Sequence, residues 1–227
     1  MSVGSISPSR AHFVSKVLGI IASIVASLVW LATIATLFGL WARDHFIRYE
    51  YDDGDVAYIS NVGARHKPQF IVGTALTGTL YVITLILTKR TFDLETRRRF
   101  KRSVSILSIV FGVISGASLL LLAVFDSVNY KGAHYTFTGL FTVFTLLSAI
   151  STIVYRFSRN ETNLAVLLRV LFVALIIPMA VTFVVLSLIK RPPSDTQLKS
   201  VAASHEWTIA ILFVVYLALF ALDLILE

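Results

Sequence analysis

The residues of this sequence that could perform acid–base chemistry lie at the ends of long hydrophobic runs. Asp126 and His134 fall in the stretch FDSVNYKGAHYTF, between two such runs, and Glu206 stands directly before another. A positioned histidine can act as a general base. If these side chains met, His134 could be the base, oriented by Glu206 or Asp126, acting on a lipid headgroup. The sequence favours the plainer alternative, in which they cap helices and tie loops together.

Other kinds of chemistry need residue patterns that this sequence lacks. It contains no cysteine, which excludes disulfides, thiol catalysis and thiolate metal sites. It also lacks the phosphate-binding P-loop, the GxSxG nucleophile motif and the HExxH zinc motif. Histidine and carboxylate groups could in principle hold a metal ion, but we predict no metal site and no cofactor. Binding to nucleic acid is not expected of so hydrophobic a chain.

Six hydrophobic runs must position the candidate residues. The 227 residues are 56% hydrophobic and 15% charged, whereas a soluble domain carries about 25% charged residues. A spanning helix needs about 20 mostly apolar residues. We therefore predict an all-α, multi-pass membrane protein, a six-helix bundle that forms one domain over residues 1–227. The predicted helices cover residues 17–42, 69–88, 103–125, 135–155, 167–189 and 207–226.

The segment KRTFDLETRRRFKR, residues 89–102, sets the predicted orientation. Short loops rich in lysine and arginine stay in the cytoplasm, so both termini are expected there too. Loops 43–67, 126–134 and 190–206 would then lie on the outer side of the membrane. The acid–base candidates would share that outer face.

The same basic segment is a candidate binding surface. Clusters of lysine and arginine beside the cytoplasmic leaflet attract anionic lipid headgroups. The alternative, which the sequence favours, is that this charge only fixes the topology. The predicted basic patch consists of Lys89, Arg90, Arg97, Arg98, Arg99, Lys101 and Arg102.

Two glycines in the third predicted span indicate a close helix contact. Gly112 and Gly116 are separated by three residues, and small residues at that spacing let helix backbones approach closely in lipid. We expect them to pack helices within one chain rather than to form a dimer face.

Three short motifs, in this order along six helices, resemble the Frag/DRAM/Sfk family of membrane proteins. The first outer loop ends with YISNVGA, an aspartate follows the third span and a histidine opens the fourth, and the last span opens with HEW and closes with an aspartate. The positions marked by the resemblance are Ser60, Gly63, Ala64, Asp126, His134, Glu206, Trp207 and Asp223. His66 and His205 belong to the same predicted outer-face motif.

The resemblance implies a role in membrane lipid biology. Its suppressor-of-four-kinase members imply a non-enzymatic regulator of lipid distribution or phosphoinositide signalling, at the plasma membrane, with membrane lipids and a lipid-kinase complex as partners. Its GPI-remodelling members imply instead an enzyme or subunit in the Golgi or endoplasmic reticulum that acts on anchor lipids through the outer-face histidine and acids. Its autophagy modulators imply a lysosomal or vacuolar membrane protein. The regulator is the function we expect.

Overall fold

Seven α-helices make up the part of the chain that the structure describes. The structure is a computed structural model and describes residues 8–50, 53–93, 99–189 and 196–226. In chain order the helices are α1 Pro8–Arg43, α2 Ile59–Arg65, α3 Lys67–Asp93, α4 Arg99–Val124, α5 Lys131–Ser158, α6 Leu164–Leu188 and α7 Thr196–Ile225. All except α2 are long and apolar enough to cross a membrane. The predicted all-α bundle of six spans is confirmed.

The short helix α2 departs from the predicted elements, which place a loop across residues 43–67. Its N-cap residue, Tyr58, makes no side-chain capping hydrogen bond, so α2 depends on other segments of the chain for its stability. Helix α7 also differs, because it begins at Thr196 rather than near residue 207. Its polar first turns extend the helix beyond the charge-free run from which the span was predicted.

Neighbouring helices pack around the bundle in the order α5, α4, α3, α1, α7 and α6. Helix α6 packs mainly on α7 and contacts α5 much less. Many of its apolar side chains are exposed, Leu167 and Val181 among them, as expected of a helix that faces lipid. We call the end with residues 44–66, residues 125–130 and the start of α7 the loop end. The opposite end, where α3, α5 and α7 finish, is the basic end.

Helices α1 and α7 are joined by hydrogen bonds through small and aromatic side chains of α1. The Ser23 hydroxyl donates to the Leu217 carbonyl at 2.6 Å and the Trp30 indole N–H donates to the Ala210 carbonyl at 2.8 Å. Ser23 Oγ also accepts the N–H of Ala221 at 2.9 Å. Small polar residues of this kind allow close approach and hydrogen bonding between helices in lipid.

Gly112 and Gly116 lie where α4 packs against α3. A Cβ atom on Gly112 would come within 2.0 Å of Leu85 Cδ1, and one on Gly116 would lie 3.0 Å from the carbonyl oxygen of Gly78. At Gly116 the backbones of the two helices approach closely, and at Gly112 the Leu85 side chain occupies the space that a Cβ atom would need. The glycine pair therefore packs helices within the chain.

Candidate functional site

Asp53 is the centre of a hydrogen-bonded cap at the loop end. Its side chain is buried. One carboxylate oxygen accepts the backbone N–H groups of Tyr49 and Glu50, both at 3.0 Å. The other accepts the N–H of Tyr58 at 3.3 Å and the side-chain amide of Asn61 at 2.9 Å. Sequence reasoning missed Asp53, because the first outer loop holds five acidic residues and nothing in their spacing marks this one.

Asp126 is held by a second set of bonds on the other side of the cap. The Ser127 hydroxyl donates to Asn61 Oδ1 at 2.6 Å, which joins the two outer loops. Asp126 pairs with Lys67 Nζ at 2.6 Å and accepts the N–H of Asn129 at 2.7 Å. Burial raises the pKa of Asp126, but the hydrogen bonds from Asn129 and Lys67 outweigh it and lower the pKa to about 2. Asp126 is therefore a charged anchor at neutral pH.

His134 sits in the first turn of α5 and closes the end of α4. The side chain is buried, and its Nδ1 lies 2.8 Å from the Leu122 carbonyl oxygen and 3.1 Å from that of Phe125. Because both partners are acceptors, Nδ1 must carry the proton. The last carbonyls of a helix have no partner within the helix, so His134 satisfies that of Leu122 together with that of Phe125, which directly follows α4. In the neutral ring its Nε2 is left without a proton.

Glu206 connects α7 to the start of α2. Its carboxylate accepts hydrogen bonds from the Ser60 hydroxyl and from the backbone N–H groups of Ser60 and Ile59. The first N–H groups of a helix are unpaired and carry partial positive charge, which a carboxylate stabilises. Glu206 thus supplies the cap that Tyr58 does not. Its Oε2 is buried and has no hydrogen-bond partner in the part of the chain that the structure describes.

Trp207 adds a second connection beside Glu206. Its indole N–H donates to the carbonyl oxygen of Ala57 at 2.9 Å. The ring stacks on Trp41 of α1, with 6.4 Å between centroids, and meets Phe38 edge to face. The Glu-Trp pair at residues 206 and 207 therefore binds the residues before α2 to the bundle.

The YISNVGA segment consists of Tyr58 and the first six of the seven residues of α2. A Cβ atom on Gly63 would lie 2.4 Å from the Phe70 ring, so the glycine lets α2 pack directly on α3. Ala64 is partly buried beside it. His66 follows α2, and its Nε2 lies 3.3 Å from Asp44 Oδ2. The motif serves close packing of a short helix.

The predicted acid–base residues share the loop end, where each bonds to a different part of the scaffold. No hydrogen bond or ion pair joins His134, Asp126 and Glu206 to one another within the described ranges. His205 Nδ1 bonds instead to the Val201 carbonyl oxygen of its own helix at 2.8 Å. No three of the described histidine and acidic side chains are grouped as metal ligands would be.

The described residues of the predicted basic patch lie at the basic end. Arg90 on α3 and both Arg99 and Arg102 on α4 are exposed. Lys89 and Lys101 are partly exposed. Arg97 and Arg98 lie outside the described residues.

A cluster of buried charges, which sequence reasoning did not predict, lies at the basic end. Arg156 and Arg169 are 2% and 1% exposed, and Asp223 is 1% exposed. Arg169 Nη2 bonds to Asp223 Oδ2, and its guanidinium covers the Phe220 ring at 4.3 Å. The sequence contained one sign of this cluster. Asp223 lies at the end of an otherwise uncharged span, and an ionisable residue in such a position needs a partner.

Arg156 extends the cluster toward α3. Its Nε lies 2.7 Å from Glu161 Oε2, and Nη2 lies 3.7 Å from Asp223 Oδ1. The guanidinium stacks over Phe92 at 4.4 Å. Arg159 pairs with the same Glu161. The cluster therefore connects the ends of α3, α5 and α7 to the start of α6.

Comparison with known proteins places the chain in a family. Residues 18–226 match the model of the Frag1/DRAM/Sfk1/Cwh43P N-terminal domain. Protein sfk1 of Schizosaccharomyces pombe (strain 972 / ATCC 24843) is 26% identical over 207 residues, which cover 88% of this chain and 62% of that protein. No solved structure matches the chain. The resemblance seen in the three motifs is confirmed: the chain belongs to the Frag1/DRAM/Sfk1/Cwh43P N-terminal domain family.

Proposed function

We propose that this protein is a non-enzymatic regulator of lipid distribution or phosphoinositide signalling, embedded in the plasma membrane with its basic end in the cytoplasm. The main support is how the loop-end polar groups are used. Asp126 is paired with Lys67, Glu206 caps α2, and His134 closes α4. An enzyme would need a reactive set of such groups held together, and here each is bound to a different part of the scaffold.

The exposed arginines of the basic end supply the partner surface in this proposal. Arg90, Arg99 and Arg102 extend from the ends of α3 and α4. At the cytoplasmic face they would meet anionic lipid headgroups, to which each basic residue contributes about 1 kcal/mol. A lipid-kinase complex would use the same surface, because it acts on those headgroups.

Lipid mass spectrometry on cells lacking the protein tests this proposal. The cells are restored with the native chain, with Arg90, Arg99 and Arg102 changed to glutamine, or with a matched loop-end control in which Arg43, Arg48 and Arg65 are changed. We expect shifted phosphoinositides or lipid asymmetry that the native chain and the control correct and the basic-end variant does not. Full correction by a correctly oriented basic-end variant would contradict the proposal.

The orientation needs its own check, because changing basic residues can invert a membrane protein. Asn160, Glu161 and Thr162 form a glycosylation sequon between α5 and α6. Its modification would place the basic end outside the cytoplasm. Unmodified Asn160, together with modification of a sequon introduced at residues 44–50, supports the proposed orientation.

A second candidate is an enzyme or subunit that remodels GPI-anchor lipids. Two observations favour it: Nε2 of the neutral His134 ring carries no proton, and Oε2 of Glu206 lacks a partner among the described residues. His134→Asn separates the two functions, because an asparagine amide can replace the Nδ1–H donor but not the basic Nε2. Anchor lipids that are altered in this variant, with protein level unchanged, would support remodelling. Normal anchor lipids would exclude His134 as the base.

A further inference from the structure

A pocket lies at the loop end, where the two outer loops meet α2. Its volume is about 390 Å³, which is within the range of pockets that bind small molecules. Its walls include residues 47–50 of the first loop, Asn61 and Arg65 of α2, and Val128 and Asn129 of the second loop. Three segments that are distant in the sequence thus form one concave surface.

Two side chains in this pocket carry opposite charges that the protein does not pair. Within the described parts of the chain, neither the carboxylate of Glu50 nor the guanidinium of Arg65 makes a hydrogen bond or an ion pair, and they do not pair with each other. Glu50 is partly buried and Arg65 is exposed. A ligand that enters the pocket can therefore meet a free carboxylate and a free guanidinium together.

The remaining polar groups of the pocket are close to neutral overall. Arg48 also lines it, but its Nη2 is paired with the carboxylate of Asp55. Asn61 is buried, and its side-chain amide donates one N–H to Asp53; an asparagine amide has a second N–H to offer. Glu50 would repel a simple anion and Arg65 a simple cation, so the pocket favours a ligand that carries both charges.

The position of Trp41 places the pocket at the depth of lipid headgroups. The indole N–H of Trp41, near the end of α1, donates to the carbonyl oxygen of Ile47 at 2.9 Å. Tryptophan is enriched where a membrane meets water. Ile47 and Val128 line the pocket and are 52% and 45% exposed, which gives it an apolar edge. A charged headgroup attached to an apolar body fits this combination.

We propose that this pocket binds a headgroup in which a phosphate is linked to a primary ammonium group, with the phosphate on Arg65 and the ammonium on Glu50. An arginine guanidinium matches phosphate oxygens in geometry as well as charge. A primary ammonium offers three N–H donors to a carboxylate. A trimethylated ammonium offers none and is bound instead by aromatic cages, whereas Tyr49 is the single aromatic residue among the described lining residues.

Two sources can present this chemistry at the loop end. Phosphatidylethanolamine can reach the pocket from the membrane, and a soluble phosphoethanolamine ester can reach it from water. The apolar edge at Ile47 and Val128 favours the lipid. The pocket is at the opposite end of the bundle from Arg90, Arg99 and Arg102, so this binding and the function proposed above can fail independently.

Binding to the purified full-length chain in a maltoside detergent tests the inference. The probes are dihexanoyl phosphatidylethanolamine, dihexanoyl phosphatidylcholine, dihexanoyl phosphatidic acid and glycerophosphoethanolamine, each titrated while binding is followed by microscale thermophoresis. Arg65→Gln and Glu50→Gln are the informative variants, because neither side chain bonds to the rest of the described protein and folding should be intact. Arg43→Gln is the matched control, since Arg43 is also an exposed arginine of the loop end but does not line the pocket.

We expect phosphatidylethanolamine to bind more tightly than phosphatidylcholine, and each informative variant to weaken it about tenfold, the loss of one hydrogen bond between charged groups. Arg43→Gln should bind as the native chain does. Glu50→Gln should bind phosphatidic acid more tightly than the native chain, because the repulsion is removed; a merely structural role of Glu50 would not produce this reversal.

The soluble ester distinguishes the two sources. Glycerophosphoethanolamine that binds as tightly as the lipid would identify the headgroup alone as the ligand, and weaker binding would identify the lipid. Equal binding of phosphatidylethanolamine and phosphatidylcholine, or equal binding of phosphatidylethanolamine by Arg65→Gln, Glu50→Gln and the native chain, would overturn the inference. The cell-experiment control that lacks Arg65 should lose this binding and still correct phosphoinositides, which keeps the two proposals separate.

Discussion

The carboxylate of Glu206 accepts hydrogen bonds from both the hydroxyl and the backbone N–H of Ser60. These residues are far apart in the chain, one in α7 and the other in α2. The contact explains why a helix of only seven residues forms in a loop. A helix that short is marginal alone, and the buried carboxylate stabilises its first turn.

Replacing Glu206 should therefore loosen α2. Glu206→Ala removes the accepting carboxylate and is expected to cost about 1–2 kcal/mol, as loss of a helix cap does. Glu206→Gln keeps one acceptor oxygen and should cost less. Limited trypsin digestion measures the effect, because cleavage after Arg65 requires α2 to open. If Glu206→Ala resisted trypsin as well as the native chain does, the capping role would be excluded.

Asp126 should make the protein sensitive to acid. Its folded-state pKa of about 2 lies below the ordinary value of 3.8, so the folded protein favours the ionised form. The stability that Asp126 contributes is complete above pH 4 and is lost as the pH falls from about 4 to about 2. Melting temperatures of the native chain and Asp126→Asn should thus differ most above pH 4 and converge toward pH 2. A difference that stays constant over this range would refute the prediction.

Lys67 provides an independent check on the same pair. Lys67→Met removes the cation 2.6 Å from Asp126 Oδ2 but leaves the bonds from Asn129. The pKa of Asp126 should then rise, so that its contribution is lost at a higher pH than in the native chain. A melting profile for Lys67→Met that matches the native profile in the acid range would mean that Asn129 alone determines the pKa.

Gly63 should be intolerant of any side chain. A Cβ atom there would lie 2.4 Å from the Phe70 ring, whereas one on Gly39 would have no neighbour within 4 Å. Gly63→Ala is expected to destabilise the protein by about 1–3 kcal/mol through overpacking. Gly39→Ala should be neutral or slightly stabilising, because alanine favours a helix. Thermal unfolding of both variants in the same detergent compares them directly, and equal melting temperatures would contradict the packing argument.

Replacing only one member of the buried ion pair of Arg169 and Asp223 should strongly destabilise the protein. Asp223→Asn leaves Arg169 buried without a charged partner and is expected to cost about 3–5 kcal/mol. Replacing both, as Arg169→Met with Asp223→Leu, should recover part of the loss because no lone charge remains at that pair. Yield of monodisperse protein and melting temperature report the difference. A double variant less stable than Asp223→Asn would show that the pair itself stabilises the fold.

The six spans could be predicted because a helix that crosses lipid needs a long run of apolar residues, and such a run is visible in the sequence without knowledge of the fold. An apolar run without charges, such as residues 17–42 or 103–125, has to be buried in the bilayer. The helices still extend past those runs, as α7 does from Thr196. Hydropathy marks the part of a helix that lies in hydrocarbon, not the turns that continue into the interface.

The contacts of the site were not predictable, because they join residues from distant parts of the chain. Asp53 is one of several acids in its loop, and only the folded positions of Tyr58 and Asn61 single it out. Arg156 falls between the predicted spans 135–155 and 167–189, where a solvated side chain is expected, yet it is buried against Phe92. The family motifs marked Glu206, Trp207 and Ser60, but only the structure shows that Glu206 bonds to Ser60 and Trp207 to Ala57.

The pairing of α1 with α7 has a consequence for biogenesis. The bonds from Ser23, Ser27 and Trp30 reach partners 194, 187 and 180 residues further along the chain. Spans are inserted into the membrane in the order in which they are translated. The side chains of α1 that bond to α7 are therefore exposed to lipid until α7 has been inserted. During that interval the nascent protein depends on the insertion machinery to shield it, and a chain shortened before α7 would be a substrate for membrane quality control.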